Sequence, residues 1–185
     1  MFFCFAIFLY VLSVCYLGKL ICDFLRTKGK EPPFISSFGK IKKEILLEAK
    51  KFLQENKGIS VTDLGCGSGC LLIPLAKEFK DSKFVGYEYD WIAYSIAKLK
   101  TFYIPNIVIH KKNFFEADLK EYKLVLCYIT PGIADELGDK LNKELSDETL
   151  VISEIFEIPK LKKIREIMSA IACKSLKIFL YNPNK

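Results

Sequence analysis

Val61-Thr62-Asp63-Leu64-Gly65-Cys66-Gly67-Ser68-Gly69 runs from an apolar strand, through a carboxylate, into three glycines at alternate positions. Ile59, Val61 and Leu64 read as buried strand positions, the glycines supply a tight turn with φ values other residues avoid, and Cys70-Leu71-Leu72-Ile73 opens a helix. A helix that starts beside such a turn is the arrangement in which a nucleoside cofactor is held.

The next apolar run is Lys83-Phe84-Val85-Gly86-Tyr87-Glu88, and Glu88 lies 19 positions beyond Gly69. That interval suits an acid at the end of a second strand that binds ribose hydroxyls. Asp90 is better placed as the N-cap of a helix beginning Trp91-Ile92-Ala93. A dinucleotide fingerprint would need glycine at position 70, where the chain has Cys70. Gly65-x-Gly67-x-Gly69 preceded by Asp63 instead resembles motif I of class I S-adenosylmethionine-dependent methyltransferases. The resemblance implies S-adenosyl-L-methionine as cofactor, with Asp63, Gly65, Gly67, Gly69 and Glu88 among its binding residues.

Around these two strands the signals alternate. Strands are predicted near 59–64, 83–88, 106–110, 123–128 and 149–155, with helices near 70–80, 91–103 and 132–145 between them. An earlier helix follows from Ile41, Ile45, Leu46, Ala49, Phe52 and Leu53, which recur at helical spacing until Gly58. The fold class is therefore α/β, a doubly wound and mostly parallel sheet with ligands beyond the carboxyl ends of its strands, and the motif I resemblance implies the Rossmann-like methyltransferase type. After residue 160 two readings stay open. Leu161, Ile164, Ile167, Met168 and Ile171 suit a helix, whereas Ser175 to Tyr181 suits an antiparallel edge strand, with little room for a complete closing hairpin.

From Met1 to Gly18 there is no charged side chain, and the apolar run extends past Lys19 and Asp23 to Leu25. That length predicts a transmembrane helix over residues 1–26, followed by a Gly-, Pro- and Ser-rich linker over 27–40 and a catalytic domain over 41–185. Lys19 to Lys57 carries ten Lys or Arg against five Asp or Glu, a net of +5 out of the chain's +6. The positive-inside tendency then places a single-pass protein with its catalytic domain in the cytoplasm. These lysines either rest against anionic headgroups of the lipid bilayer or form a solvated helix face, and they make no specific case for nucleic acid. The seven cysteines are an odd number without C-x2-C pairs, so neither a disulfide framework nor a metal site is predicted.

Val85-Gly86-Tyr87-Glu88-Tyr89-Asp90-Trp91-Ile92-Ala93-Tyr94-Ser95 resembles the G-Y-E-x-x-x-W-x-x-x-S pattern of a small group of membrane-anchored lysine methyltransferases. That group includes enzymes acting on the ATP synthase c subunit and on the adenine nucleotide translocase, with short prokaryotic relatives. The resemblance spans roughly residues 32 to 158. Asp90-Trp91 replaces a family proline-tryptophan step, and Phe34-Ile35-Ser36-Ser37 lacks the proline of the family's Y-V-P-[ST] stretch.

The resemblance also makes Asn113 and Phe114 the loop after the third strand. An amide at Asn113 is able to hydrogen-bond an adenine edge, and a turn role is the alternative. Tyr128 and Thr130, beyond the fourth strand, are candidates for shaping the acceptor mouth, with simple packing the alternative for Tyr128. Cys127-Tyr128-Ile129-Thr130-Pro131 is not the [DN]-P-P-[YFW] quartet of enzymes that methylate adenine or glutamine amides. The implied activity is protein-lysine N-methylation at a membrane, with a protein substrate as partner. Lipid or quinone methylation, or a cofactor-binding scaffold without chemistry, are the competing functions.

Overall fold

The computed structural model describes residues 7, 10–18, 39–171 and 174–182. Helix α1 is Gly39–Glu55, α2 Leu72–Glu78, α3 Trp91–Thr101 and α4 Pro131–Glu144. The strands are β1 Ser60–Leu64, β2 Lys83–Glu88, β3 Ile107–Lys111, β4 Tyr122–Tyr128, β5 Leu150–Glu154, β6 Lys163–Ile171 and β7 Lys174–Tyr181. They form one sheet in the order β3-β2-β1-β4-β5-β7-β6. The first five strands are parallel, and β7 runs antiparallel to both β5 and β6.

Period-two alternation divides the strands between two cores. Val61, Phe84, Leu124, Leu126 and Ile152 pack under α1, α2 and α3, while Leu64, Val125 and Val151 pack under α4. Parallel strands buried on both faces explain the apolar runs of the sequence. Each of the five predicted parallel strands falls within two residues of its observed bounds.

The end of the chain resolves one open reading and corrects the expected edge position of the last strand. Residues 163–171 are strand rather than helix, and β7 lies inside the sheet with β6 at the edge. The chain has room for both closing strands, which pair from Lys163 with Tyr181 to Ile171 with Lys174. β7 is apolar on both faces, with Ile178 and Leu180 in one core and Phe179 and Tyr181 in the other, as an interior strand requires. β6 exposes Ile164 and Met168, and its register shifts between Lys163 and Arg165. That irregularity breaks the alternation and leaves apolar residues at intervals that mimic a helix.

Most of the predicted anchor and linker, including Phe34 to Ser37, lies outside the described residues. Residues 10–18 are helical, with Tyr10, Val11, Leu12, Val14 and Leu17 exposed. Among the described residues no helix is long and apolar enough to cross a membrane.

Candidate cofactor and acceptor site

The site is assembled where β1, β2 and β4 end. Gly65 and Cys66 both donate their backbone N–H to the Tyr87 carbonyl, at 2.9 and 3.0 Å, and this pins the glycine turn across the end of β2. Gly65 and Gly67 have φ of 83° and 55°, in the left-handed region that favours glycine. A Cβ at Gly65 would meet no atom within 4 Å, so open space lies over the first glycine, as a ligand there requires.

Glu88 closes the turn from the neighbouring strand. One of its carboxylate oxygens accepts the Gly67 N–H at 2.8 Å and the other accepts the Asp90 N–H at 2.7 Å. Each oxygen retains acceptor capacity for a hydroxyl. Burial pushes the Glu88 carboxyl above its ordinary range, against the lowering effect of these backbone bonds. Asp90 caps α3, its Oδ1 accepting from Ile92 and Ala93 at 2.9 and 3.0 Å, as expected from its position.

Asp63 is buried at the end of β1, and its carboxyl is pushed up to about 8 by burial, then by Glu154, then by Glu88. Asp63 on β1 is thus repelled by two further carboxyls, Glu154 at the end of β5 and Glu88 at the end of β2. A cationic ligand would relieve that repulsion, which is the charge character of a sulfonium-bearing amino acid.

After β3, Asn113 caps a 3-10 turn over Phe114–Glu116, its Oδ1 accepting the Phe115 N–H at 3.0 Å. The turn role and the adenine role are compatible, because the amide N–H donors are separate from the capping oxygen. Phe114 sits half-buried against Phe115 with ring centroids 4.6 Å apart.

At the end of β4, Tyr128 is half-buried and lies opposite Glu154 in the β4–β5 register. Its phenol is pushed up by burial and by Glu154. Thr130 is the N-cap residue of α4, with Pro131 at the helix start. Asp63, Gly65, Gly67, Gly69 and Glu88 therefore gather at the turn, Asn113 and Phe114 follow β3, and Tyr128 and Thr130 follow β4.

Three features were not anticipated. Gly86 is needed for space: a Cβ there would stand 2.6 Å from the Cys66 sulfur and 2.8 Å from Ile109 Cδ1. Cys66 thus packs into the gap that Gly86 leaves. Glu154 is a buried acid at the end of β5, in a strand without any motif. Beyond it, Ile155 has φ of 69°, unfavourable for a β-branched residue, and the turn brings the Phe156 ring to 6.2 Å from Tyr128. The Ser153 hydroxyl holds this turn by donating to the Phe156 carbonyl at 2.7 Å. A general run of apolar residues concealed it, and only the polar Ser153-Glu154 pair ending the strand hinted at a site.

Comparison with known proteins adds the family context. The family described as ANTKMT methyltransferase domain matches residues 63–165. A protein-lysine N-methyltransferase of Saccharolobus islandicus is 37% identical over 116 residues, covering 61% of this chain and 70% of that protein. A probable cobalt-precorrin-6B C(15)-methyltransferase of Methanocaldococcus jannaschii is 32% identical over 130 residues, covering 69% of this chain and 60% of that protein. Among solved structures, an RNA methyltransferase from Salinibacter ruber in complex with S-adenosyl-L-homocysteine superposes with a TM-score of 0.66. It is 21% identical, with 81% of this chain and 95% of that chain covered, a likeness of fold.

Proposed function

The chain belongs to the ANTKMT methyltransferase domain family, S-adenosylmethionine-dependent enzymes, and from that premise we propose that it methylates lysine amines of a protein at a membrane. The observation that carries the lysine assignment is the 37% identity with a protein-lysine N-methyltransferase across 70% of that protein. S-adenosylmethionine, when bound, supplies a methyl group activated by its sulfonium, so positioning replaces a protein nucleophile.

The residues then divide the work. Glu88 receives the ribose hydroxyls on the acceptor capacity its backbone bonds leave over, and the turn at Gly65, Gly67 and Gly69 permits close approach. Asp63 takes its negative charge when a cation enters beside it. Asn113 and Phe114 bind the adenine, one by its amide and one by its ring face.

Tyr128, Thr130 and Phe156 shape the acceptor mouth. Lysine must lose its proton before its nitrogen attacks, and an aromatic, water-poor mouth favours the neutral amine. The membrane assignment draws on the uncharged run from Met1 to Gly18 and the net +5 from Lys19 to Lys57. On this reading residues 1–26 anchor the protein in the bilayer, and the catalytic domain is cytoplasmic.

The test is transfer of labelled methyl from S-adenosylmethionine by purified full-length protein into membranes from cells that lack it. Label on lysine of a discrete protein is the expected result. Label confined to extracted lipid or quinone, or to arginine or glutamine, overturns the lysine assignment.

A further inference from the structure

Helix α3 carries an outward apolar stripe. The residues it buries fully are small, Ala93, Ala97 and Thr101, with Tyr94 half-buried against the core, while Ile92, Ile96 and Leu99 face outward. Ile92, Ile96, Leu99 and Tyr103 recur at helical spacing along a single stripe that continues one residue past the cap, and they are 38%, 38%, 79% and 90% exposed. Phe102, 74% exposed, extends the stripe sideways with its ring edge-on to Tyr103. Scattered exposed apolar residues need no explanation, but a continuous stripe on one helix does.

Charge selects the occupant. From Trp91 to Phe115 the chain has four lysines and no acidic residue. Lys98 and Lys100 lie within the helix, Lys111 ends the edge strand beside it with Lys112 next in the chain, and all four are exposed. Aliphatic side chains along a convex helix, aromatic rings at its ends and lysines at its margins are the chemistry of the interface of an anionic bilayer. A nucleic acid would have no use for the aliphatic stripe, and a convex helix fits a flat, deformable surface without a complementary groove.

We propose that the outward face of α3 lies in the headgroup layer of an anionic membrane, Leu99 and Tyr103 entering the apolar boundary and the lysines contacting lipid phosphates. The contact is separate from the N-terminal segment and independent of which acceptor the enzyme methylates. It would hold α3 in the plane of the membrane, so that the site at the strand ends opens along the surface.

Trp91 is the chain's single tryptophan, stands at the start of α3 and is 60% exposed, so it reports on this face alone. The full-length protein is mixed with phosphatidylcholine vesicles containing phosphatidylglycerol and brominated acyl chains. A blue shift of Trp91 emission with loss of intensity is expected, weaker without phosphatidylglycerol and reversed in Leu99→Lys/Tyr103→Lys, whose exposed positions leave the core intact. Trp91 emission that is unquenched although the protein floats with the vesicles assigns binding to the N-terminal segment alone and overturns the inference. So does quenching that persists in the double variant, or a shift produced by single-stranded RNA in preference to vesicles.

Discussion

The Glu88 carboxylate accepts the backbone N–H of Gly67, 21 residues earlier in the chain, at 2.8 Å. Its other oxygen holds the Asp90 N–H at 2.7 Å. One side chain thus fixes both the glycine turn and the start of α3. Its structural role is fixed by these two bonds, and the ribose-binding role proposed for it must be separated from that role in its variants.

Glu88→Ala is expected to lower S-adenosylhomocysteine affinity at least about tenfold, since a charge-assisted hydrogen bond is worth about 1.5 to 3 kcal/mol. It also leaves two backbone donors without their acceptor, so thermal stability should fall. Glu88→Gln retains one oxygen and should recover part of the stability but less of the affinity. Calorimetric titration beside thermal melts separates the effects, and unchanged affinity in Glu88→Ala would remove Glu88 from the cofactor site.

The Asp63 carboxyl gives a signed pH dependence. Its ordinary value is 3.8 and burial with Glu154 and Glu88 raises it to about 8, so between those values the folded protein keeps a proton that the unfolded chain has released. Stability must therefore fall as pH rises through that window, by up to about 1.4 kcal/mol per pH unit. Asp63→Asn should flatten the slope of denaturation midpoint against pH. A cationic cofactor favours the charged carboxylate, so binding should release protons, measurable as buffer-dependent heats. Parallel slopes in parent and variant would show that Asp63 does not titrate in this range.

Packing between Gly86 and Cys66 predicts a coupled pair. Gly86→Ala places a Cβ 2.6 Å from the Cys66 sulfur, and overpacking of this kind costs about 1 to 3 kcal/mol. Cys66→Ala removes the sulfur, so the double variant should recover part of the loss. Urea denaturation of the four proteins in the cycle measures the coupling. Additive effects would mean that the Ile109 contact, at 2.8 Å, carries the clash.

The parallel half of the fold was legible because its signals were redundant. Val61 and Leu64 mark the strand, the glycines mark the turn, and the interval to Glu88 depends on a repeating strand-helix unit of nearly fixed length. The antiparallel half was not. A register shift between Lys163 and Arg165 broke the alternation of β6, and the apolar stripe left behind had the spacing of a helix. Within the site, Glu88 and the glycines carry a motif, whereas Phe156 is brought to Tyr128 by an isoleucine at φ 69°, a conformation that an Ile-Phe sequence does not signal.

That aromatic pair yields the last prediction. Tyr128 and Phe156 face each other at 6.2 Å where β4 and β5 end, with Glu154 buried beside them, and neither belongs to the glycine turn that would hold the cofactor. If they form the walls of the acceptor mouth, truncating either ring admits water and weakens the hold on the amine, while the cofactor's contacts stay intact. An aromatic contact is worth about 0.5 to 1.5 kcal/mol, so Tyr128→Ala and Phe156→Ala should each lower kcat/KM for a lysine acceptor by roughly two- to tenfold or more. S-adenosylhomocysteine affinity should change much less. Phe156→Tyr preserves the ring and should retain most of the rate. The rate of the alanine variants should also recover more steeply with rising pH than that of the parent, because a wetter mouth leaves more of the amine protonated at neutral pH. Equal losses in acceptor turnover and cofactor affinity would instead assign the pair to packing of the sheet end.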